Sequence, residues 1–600
     1  MGNTFYDHPI LNSPYEEPTR HHALDDKGQP TDDEPVIGRR KSDLTTPMVP
    51  GTRRQQAAEA DGQATLTLGV DEGEATDDQE YDPTPIINEI RSKVAEWRRL
   101  PSSTDWGVTP PTARLLKHWR EYEFQGIRPF FCQIEAVETI IWLTEVARKQ
   151  KTHAHFWRHI ESANEGANPE LLRLAIKMAT GAGKTTVMAM LIAWQTVNAV
   201  RSPTSKLFTR GFLIVSPGIT IRDRLRVLMP NDPGSYYKSL ELVPADMLPD
   251  INKAKIVITN FHALQFRELM DTNKVGRSLL QGRGKELKTK ENEGQMIRRV
   301  AEDLMGLKNI VVINDEAHHC YREKPGNEDI KDLKGDDKKA AQAENKAARL
   351  WINGIEALKH KLGVRVVYDL SATPFFLSGS GWREGALFPW TVSDFSLIDA
   401  IECGIVKLPR VPVADNSLIP SGEMPVYREL WKHIGKDMPK KGRGKGGADA
   451  DPMDIPDKLK TALHALYKHY DETFEAWRRA GIELPPVFIV VCNNTSTSKL
   501  VHEWISGWER PNEDSELVFE HNGHLELFRN FDANCNPLAK PKTLLIDSQQ
   551  IESGEALDDK FKAIAAPEIE LFKRERKERG DFGEISDSEL LREVMNTVGK

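Results

Sequence analysis

Two stretches of the sequence carry residue types that could bind and cleave a triphosphate. The first is Ala179-Thr180-Gly181-Ala182-Gly183-Lys184-Thr185-Thr186. Its glycines let backbone N–H groups approach phosphate oxygens, and a helix starting there adds a positive dipole end. In such a loop Lys184 reaches the β- and γ-phosphates and the Thr185 hydroxyl ligates Mg²⁺. Met178 stands where the strict pattern has Gly or Ala. The second stretch is Asn314-Asp315-Glu316-Ala317-His318, directly after an apolar run. A carboxylate at a strand end can hold Mg²⁺ through water, and its neighbour can orient the attacking water. Asp315 is assigned the first role and Glu316 the second. A third stretch, Ser371-Ala372-Thr373, offers small hydroxyls that could couple a nucleotide site to movement. His318, His319 and Cys320 are adjacent and have no second ligand pair, so no metal centre is expected from them.

All three stretches need strands to aim them. LLRLAIKMA, FLIVSP, AKIVITN, NIVVIND and VRVVYDLSA are short apolar runs alternating with amphipathic segments. They predict buried parallel strands with helical crossovers, hence an α/β, doubly wound sheet. Upstream, IINEIRSKVAEWRRL and TARLLKHWREYEF show apolar residues every three or four positions, which predicts helices. Polar inserts cover 276–294 and 322–347, and Gly and Lys dominate 435–451. Beyond them, a helical stretch leads into the apolar runs PPVFIVVCNN and TLLIDS, the expected start of a second α/β lobe. The expected domains are 1–86, mostly disordered; 87–124, a helical lead-in; 125–413, the first lobe; 414–455, a linker; and 456–600, a partial second lobe.

At 600 residues the chain is too long for one core. No run approaches the roughly 18 apolar residues of a membrane span, and no secretory signal is evident, so a cytoplasmic protein with no membrane partner is expected. The five cysteines form no CxxC pair, which argues against a disulfide framework. Net charge is −9, but residues 1–86 hold 18 acidic against 7 basic side chains. The acidity therefore belongs to one tail, and the body stays compatible with a nucleic-acid partner. The stretch from His8 to His22 is richer in aromatic and apolar residues and could dock on the body.

GAGKT, DEAH and SAT, in that order and each after a predicted strand, resemble the DEAD/DEAH-type superfamily 2 helicases and translocases. MATGAGKT, INDEAHHCYR, LSATPFF and SDFSLIDAIECGIVKLPRVPV are most similar to the restriction subunit of type III restriction–modification systems. This resemblance implies a P-loop NTPase of RecA-like lobes, the second incomplete here, with ATP and Mg²⁺ as cofactors. It implies double-stranded DNA and a methyltransferase (modification) subunit as partners. It places Gln133 as the adenine reader, His318, Ser371 and Thr373 as coupling residues, and Ser216 with Arg222, Thr259 with Asn260, and Asn494 as DNA-backbone contacts.

Two features of that family are not found. None of the Gly-Arg pairs (at 38, 276, 282 and 442) has Gln three residues before it and Arg three after. Such arginines reach ATP across the interlobe cleft and are worth about 10³–10⁵ in rate, roughly 4–7 kcal/mol of barrier. Slow turnover is therefore expected, from a truncated or split protein or a fragment of a longer one. The alternative is a nucleotide-binding regulatory module or remnant. A nuclease pattern also fails to convince: Asp559 with Glu575 and Lys577 fits formally, but the stretch reads as a charged helix.

Overall fold

The β-branched and aliphatic runs become a six-stranded, wholly parallel sheet: β1 (Arg173–Met178), β2 (Gly211–Ser216), β3 (Lys255–Asn260), β4 (Ile310–Asp315), β5 (Val364–Ser371) and β6 (Thr391–Phe395). Their spatial order is β3-β2-β4-β5-β1-β6. In this computed structural model the described residues are 4–25, 28–43, 82–218, 224–267, 291–324, 335–377, 379–408, 430–439, 451–482, 485–511, 517–538 and 541–545. The chain divides into two compact units, 1–408 and 409–600.

In the first unit both faces of the sheet are covered, which is why its strands are apolar without alternation. Phe212 and Ile214 of β2, with Val311 and Ile313 of β4, face one core; Leu213 and Val215, with Ile310 and Val312, face the other. The first core is roofed by α1 (Thr84–Arg98), α2 (Pro110–Glu121), α3 (Phe131–Ile141), α4 (Ala154–Ala167) and α5 (Lys184–Arg201). The second is roofed by α6 (Glu293–Ala301) and α7 (Gly335–Leu362). Local chemistry sets the ends: Thr109 caps α2 through the Thr112 N–H, ahead of Pro110 and Pro111. Between Gln133 and the glycine loop lies α4, whose Phe156, Trp157 and Ile160 join the core.

The N-terminal segment departs from the expectation of disorder. Residues 4–25 and 28–43 lie on the first unit, while 44–81 fall outside the described residues. The composition is acidic, yet a few specific groups suffice to anchor it. Phe5 is buried beside Ile398 and Ile401 of α8 (Leu397–Glu402). Arg39 makes a two-pronged ion pair with buried Glu135, and Arg40 donates to Glu402 at 2.6 Å. Pairing explains why these charges tolerate burial.

The second unit contains α9 (Asp457–Arg479), α10 (Thr495–Ser506) and an antiparallel pair, β7 (Trp508–Pro511) with β8 (Leu517–His521). The parallel strands expected there are not seen among the described residues. Pro485–Asn494 is not a strand; Val487, Ile489 and Val491 are exposed at 69%, 78% and 89%. An extended apolar run becomes a strand only beside a partner, and none pairs with it among the described residues. TLLIDS runs past Leu545 and so lies partly outside them.

Candidate nucleotide site

Parallel strands put all their carboxyl ends on one edge of the sheet, and the predicted chemistry gathers there. β1 ends at Met178, and the Ala179 N–H donates to the Phe395 carbonyl of β6 at 2.9 Å. The chain then turns through Gly181 (φ +87°) and Gly183 (φ +82°) into α5. Both positions demand glycine for conformation and for space. A Cβ at Gly181 would lie 3.2 Å from Val406, and one at Gly183 only 2.2 Å from the Gln133 amide nitrogen. Thr180 and Gly181 are exposed, Ala182 and Thr186 are buried, and Gly183, Lys184 and Thr185 are half-buried.

The acid pair sits opposite. β4 is separated from β1 only by β5. Lys184 Nζ lies 3.4 Å from Glu316 Oε1. The two sequence stretches are therefore in contact. Burial, helped by the neighbouring Glu316 charge, pushes the Asp315 carboxyl up to about 6, against the pull of Lys184. Glu316 adopts a left-handed backbone (φ +50°), a strained conformation for a side-chain-bearing residue.

The residues fit a Mg²⁺-bound triphosphate. A cradle that a Cβ would fill, a lysine beside it, a half-buried threonine and a buried acid whose charge burial disfavours are the donor set such a group requires. The bound metal would supply charge neutralisation at the phosphates.

His318, Ser371 and Thr373 meet as well. His318 Nδ1 lies 2.9 Å from Ser371 Oγ, and that oxygen accepts the Thr373 N–H at 3.0 Å. Gln133 is buried; its Oε1 accepts the Phe130 N–H at 3.1 Å, and its Nε2 donates to the Ala182 carbonyl at 2.9 Å. It thus caps its own helix and ties that helix to the glycine loop.

Ser216 and Asn260 end adjacent strands and are register partners, with Thr259 beside Val215. Ser216 Oγ donates to the Gly218 carbonyl at 3.2 Å, Thr259 Oγ1 to the Asn260 carbonyl at 3.3 Å, and Asn260 Oδ1 caps the next turn through Ala263 N–H. Arg222 lies outside the described residues. Asn494 belongs to the second unit, where its side chain caps α10 through the Thr497 N–H at 2.8 Å. Among the described residues no group of His, Cys, Asp and Glu is arranged to hold a metal ion, and Cys320 is buried.

One set of residues escaped the motif reading. Asp369 of β5 accepts from Arg173 Nε (2.7 Å), Trp390 Nε1 (2.8 Å) and Asn314 Nδ2 (2.8 Å). Arg173 also donates to the Cys320 carbonyl at 2.7 Å, and Trp351 donates to Asn314 Oδ1 at 3.1 Å. This fully buried network joins the strands bearing the glycine loop, the acid pair and the SAT hydroxyls. Its signal was present in the sequence: Arg173 and Asp369 are charges inside two largely apolar strands, which only a partner makes tolerable.

The fold and site define a P-loop NTPase. Residues 127–376 match the family model of the type III restriction enzyme, res subunit, so this stretch is a domain of that DEAD-like helicase type. No curated protein and no solved structure gives a significant match. No helix among the described residues is long and apolar enough to cross a membrane.

Proposed function

We propose that the chain is the ATP-hydrolysing motor portion of a type III restriction enzyme-like DNA translocase. The observation that carries this reading is the 3.4 Å approach of Lys184 to Glu316, beside Asp315, on one edge of a parallel sheet. In this reading Lys184 holds the β/γ-phosphates, aided by the N–H groups of Gly181, Ala182 and Gly183 and the hydroxyls of Thr180 and Thr186. Thr185 and Asp315 hold Mg²⁺, and Glu316 orients the attacking water. Gln133 reads adenine. His318, Ser371 and Thr373 relay nucleotide state. Ser216, Arg222, Thr259, Asn260 and Asn494 touch the backbone of duplex DNA without reading bases. A methyltransferase subunit would supply modification.

The test is ATP hydrolysis by the full chain with and without duplex DNA, compared with Lys184→Ala. We expect slow, DNA-stimulated turnover that Lys184→Ala abolishes. Turnover surviving that substitution would overturn the assignment. A second reading, a regulatory module that binds ATP and DNA with little turnover, is favoured by one observation: no Gly-Arg pair in this sequence carries the flanking Gln and Arg of an arginine motif. Lys184-sensitive binding with negligible hydrolysis would establish it.

A further inference from the structure

Glycine gives the turn from Gly181 to Gly183 its conformational freedom, and that freedom must be removed before the loop can hold one shape. Three elements outside the loop remove it. On β6 the Phe395 carbonyl accepts the Ala179 N–H at 2.9 Å. From α3, Gln133 Nε2 donates to the Ala182 carbonyl at 2.9 Å. The turn after α8 places a Val406 methyl where it would meet a Cβ on Gly181.

The N-terminal segment, described over 4–25 and 28–43, grips all three. On β6, Ser42 Oγ donates to buried Asp394 at 2.6 Å, one residue before the Phe395 carbonyl. On α3, the Pro14 carbonyl accepts the Phe131 N–H at 2.9 Å, and Arg39 pairs with Glu135, two residues beyond Gln133. On α8 the Leu11 and Asn12 N–H groups donate to the Glu402 carbonyl at 2.8 and 3.0 Å. Ile10 lies against Gly404, and Phe5 joins the cluster that holds Ile398, Ile401 and Val406. Each of these contacts falls on a support of the loop and not on the loop.

We propose that this segment is a strap that sets the glycine loop for nucleotide, so that docking of the strap and binding of a triphosphate strengthen each other. The proposal rests on the ATP reading given above. A cradle of backbone N–H groups binds phosphate more tightly when it is already ordered, because the ordering then no longer opposes binding. Partial release of the strap is disfavoured. Glu135 and Glu402 are buried, and withdrawal of Arg39 and Arg40 would strip each of a paired guanidinium. Coupling of this kind is reciprocal: if the docked strap favours nucleotide, nucleotide must favour the docked strap to the same degree.

The experiment is hydrogen exchange of the full chain with and without saturating Mg·ATP, read at the Leu11 and Asn12 amides and at the amides of α2. Calorimetric titration of Mg·ATP into the parent, Phe5→Ala and Phe5→Leu accompanies it. We expect nucleotide to slow exchange at Leu11 and Asn12 at least fivefold more than in α2. Phe5→Ala should weaken Mg·ATP binding about fivefold to 150-fold, with Phe5→Leu close to the parent. Slowing no greater at the strap than in α2 overturns the proposal, because a segment that served folding alone would not respond to nucleotide in its own right. Parent-like Mg·ATP affinity in a Phe5→Ala chain whose strap amides exchange faster overturns it as well. Where Phe5→Ala does not fold, or leaves the strap docked, the parent's exchange alone decides. A parent chain that binds no Mg·ATP overturns the ATP reading itself, and this proposal with it.

Discussion

His318 Nδ1 and Ser371 Oγ lie 2.9 Å apart, joining the end of the acid-bearing strand to the end of its neighbour. Ser371 Oγ also accepts the Thr373 N–H, so one hydroxyl ties the imidazole to the backbone that follows β5. Burial, with the charges of His319 and Lys184, pushes His318 down to about 3, so the link does not titrate between pH 5 and 8. Ser371→Ala should leave nucleotide affinity intact and lower DNA-stimulated turnover about fivefold, the value of one hydrogen bond near 1 kcal/mol. Steady-state rates with and without DNA check this. An equal fall in basal and stimulated rates would contradict a coupling role.

The same histidine makes a statement about stability. Its folded value lies below the unfolded 6.5, so between about 3 and 6.5 the unfolded chain binds the extra proton. Stability is then fully present above about 6.5 and declines as the pH drops toward 3. His318→Gln, which keeps an acceptor for Ser371 without titrating, should flatten the decline. Denaturant midpoints at pH 7.5 and 5.0 read the difference. A variant as pH-sensitive as the parent would assign the effect elsewhere.

Asp369 should be among the residues least tolerant of truncation. Asp369→Ala leaves the Arg173 guanidinium buried without its counter-charge and removes the acceptor of Asn314. Breaking a buried pair from one side costs about 3–5 kcal/mol. We expect that loss in chemical denaturation of Asp369→Ala, whereas Asn314→Ala, which removes a neutral donor to Asp369 and the acceptor of the Trp351 indole N–H, should cost about 1–3 kcal/mol. Similar values for the two would mean the ion pair is not the centre of the network.

What the sequence made legible follows from the range of the physics. The glycine loop, the acid pair and the SAT hydroxyls are local patterns at strand ends, and a parallel sheet brings strand ends together whatever their separation in sequence. The partner of Arg173 is 196 residues away, so composition marks a buried charge without naming what neutralises it. Arg39 and Arg40 likewise looked like charges on a disordered tail, because Glu135 and Glu402 are remote in sequence. In the second unit FIVV has strand composition, but pairing depends on neighbours that a local pattern does not supply.

Gly183 should resist even the smallest substitution. Its φ of +82° disfavours any Cβ, and a Cβ there would fall 2.2 Å from the Gln133 amide nitrogen. Gly183→Ala must displace Gln133 and distort the loop together. It should lower thermal stability and reduce nucleotide affinity at least tenfold, by the roughly 1–3 kcal/mol stored in such a conformation. At Gly181 the nearest atom is a Val406 methyl at 3.2 Å, so Gly181→Ala should be milder. Calorimetric titration of both variants with Mg·ATP ranks them, and the reverse order would contradict the contact.

Glu316 sets function against stability at a single residue. Its left-handed backbone costs about 1–3 kcal/mol in a residue with a side chain, and glycine adopts it freely. Glu316→Gly should therefore raise the unfolding midpoint, by about 1 kcal/mol after glycine's own entropy is counted. It should also lose the carboxylate proposed to orient the attacking water. Glu316→Gln keeps the strain and removes only the charge. Both variants should retain nucleotide binding, and their single-turnover hydrolysis should fall about 10²–10⁴-fold, the usual worth of a positioned base. A Glu316→Gly chain less stable than the parent would show that the strained turn is held by the side chain itself. Hydrolysis undiminished in Glu316→Gln would move the water-orienting role to another residue.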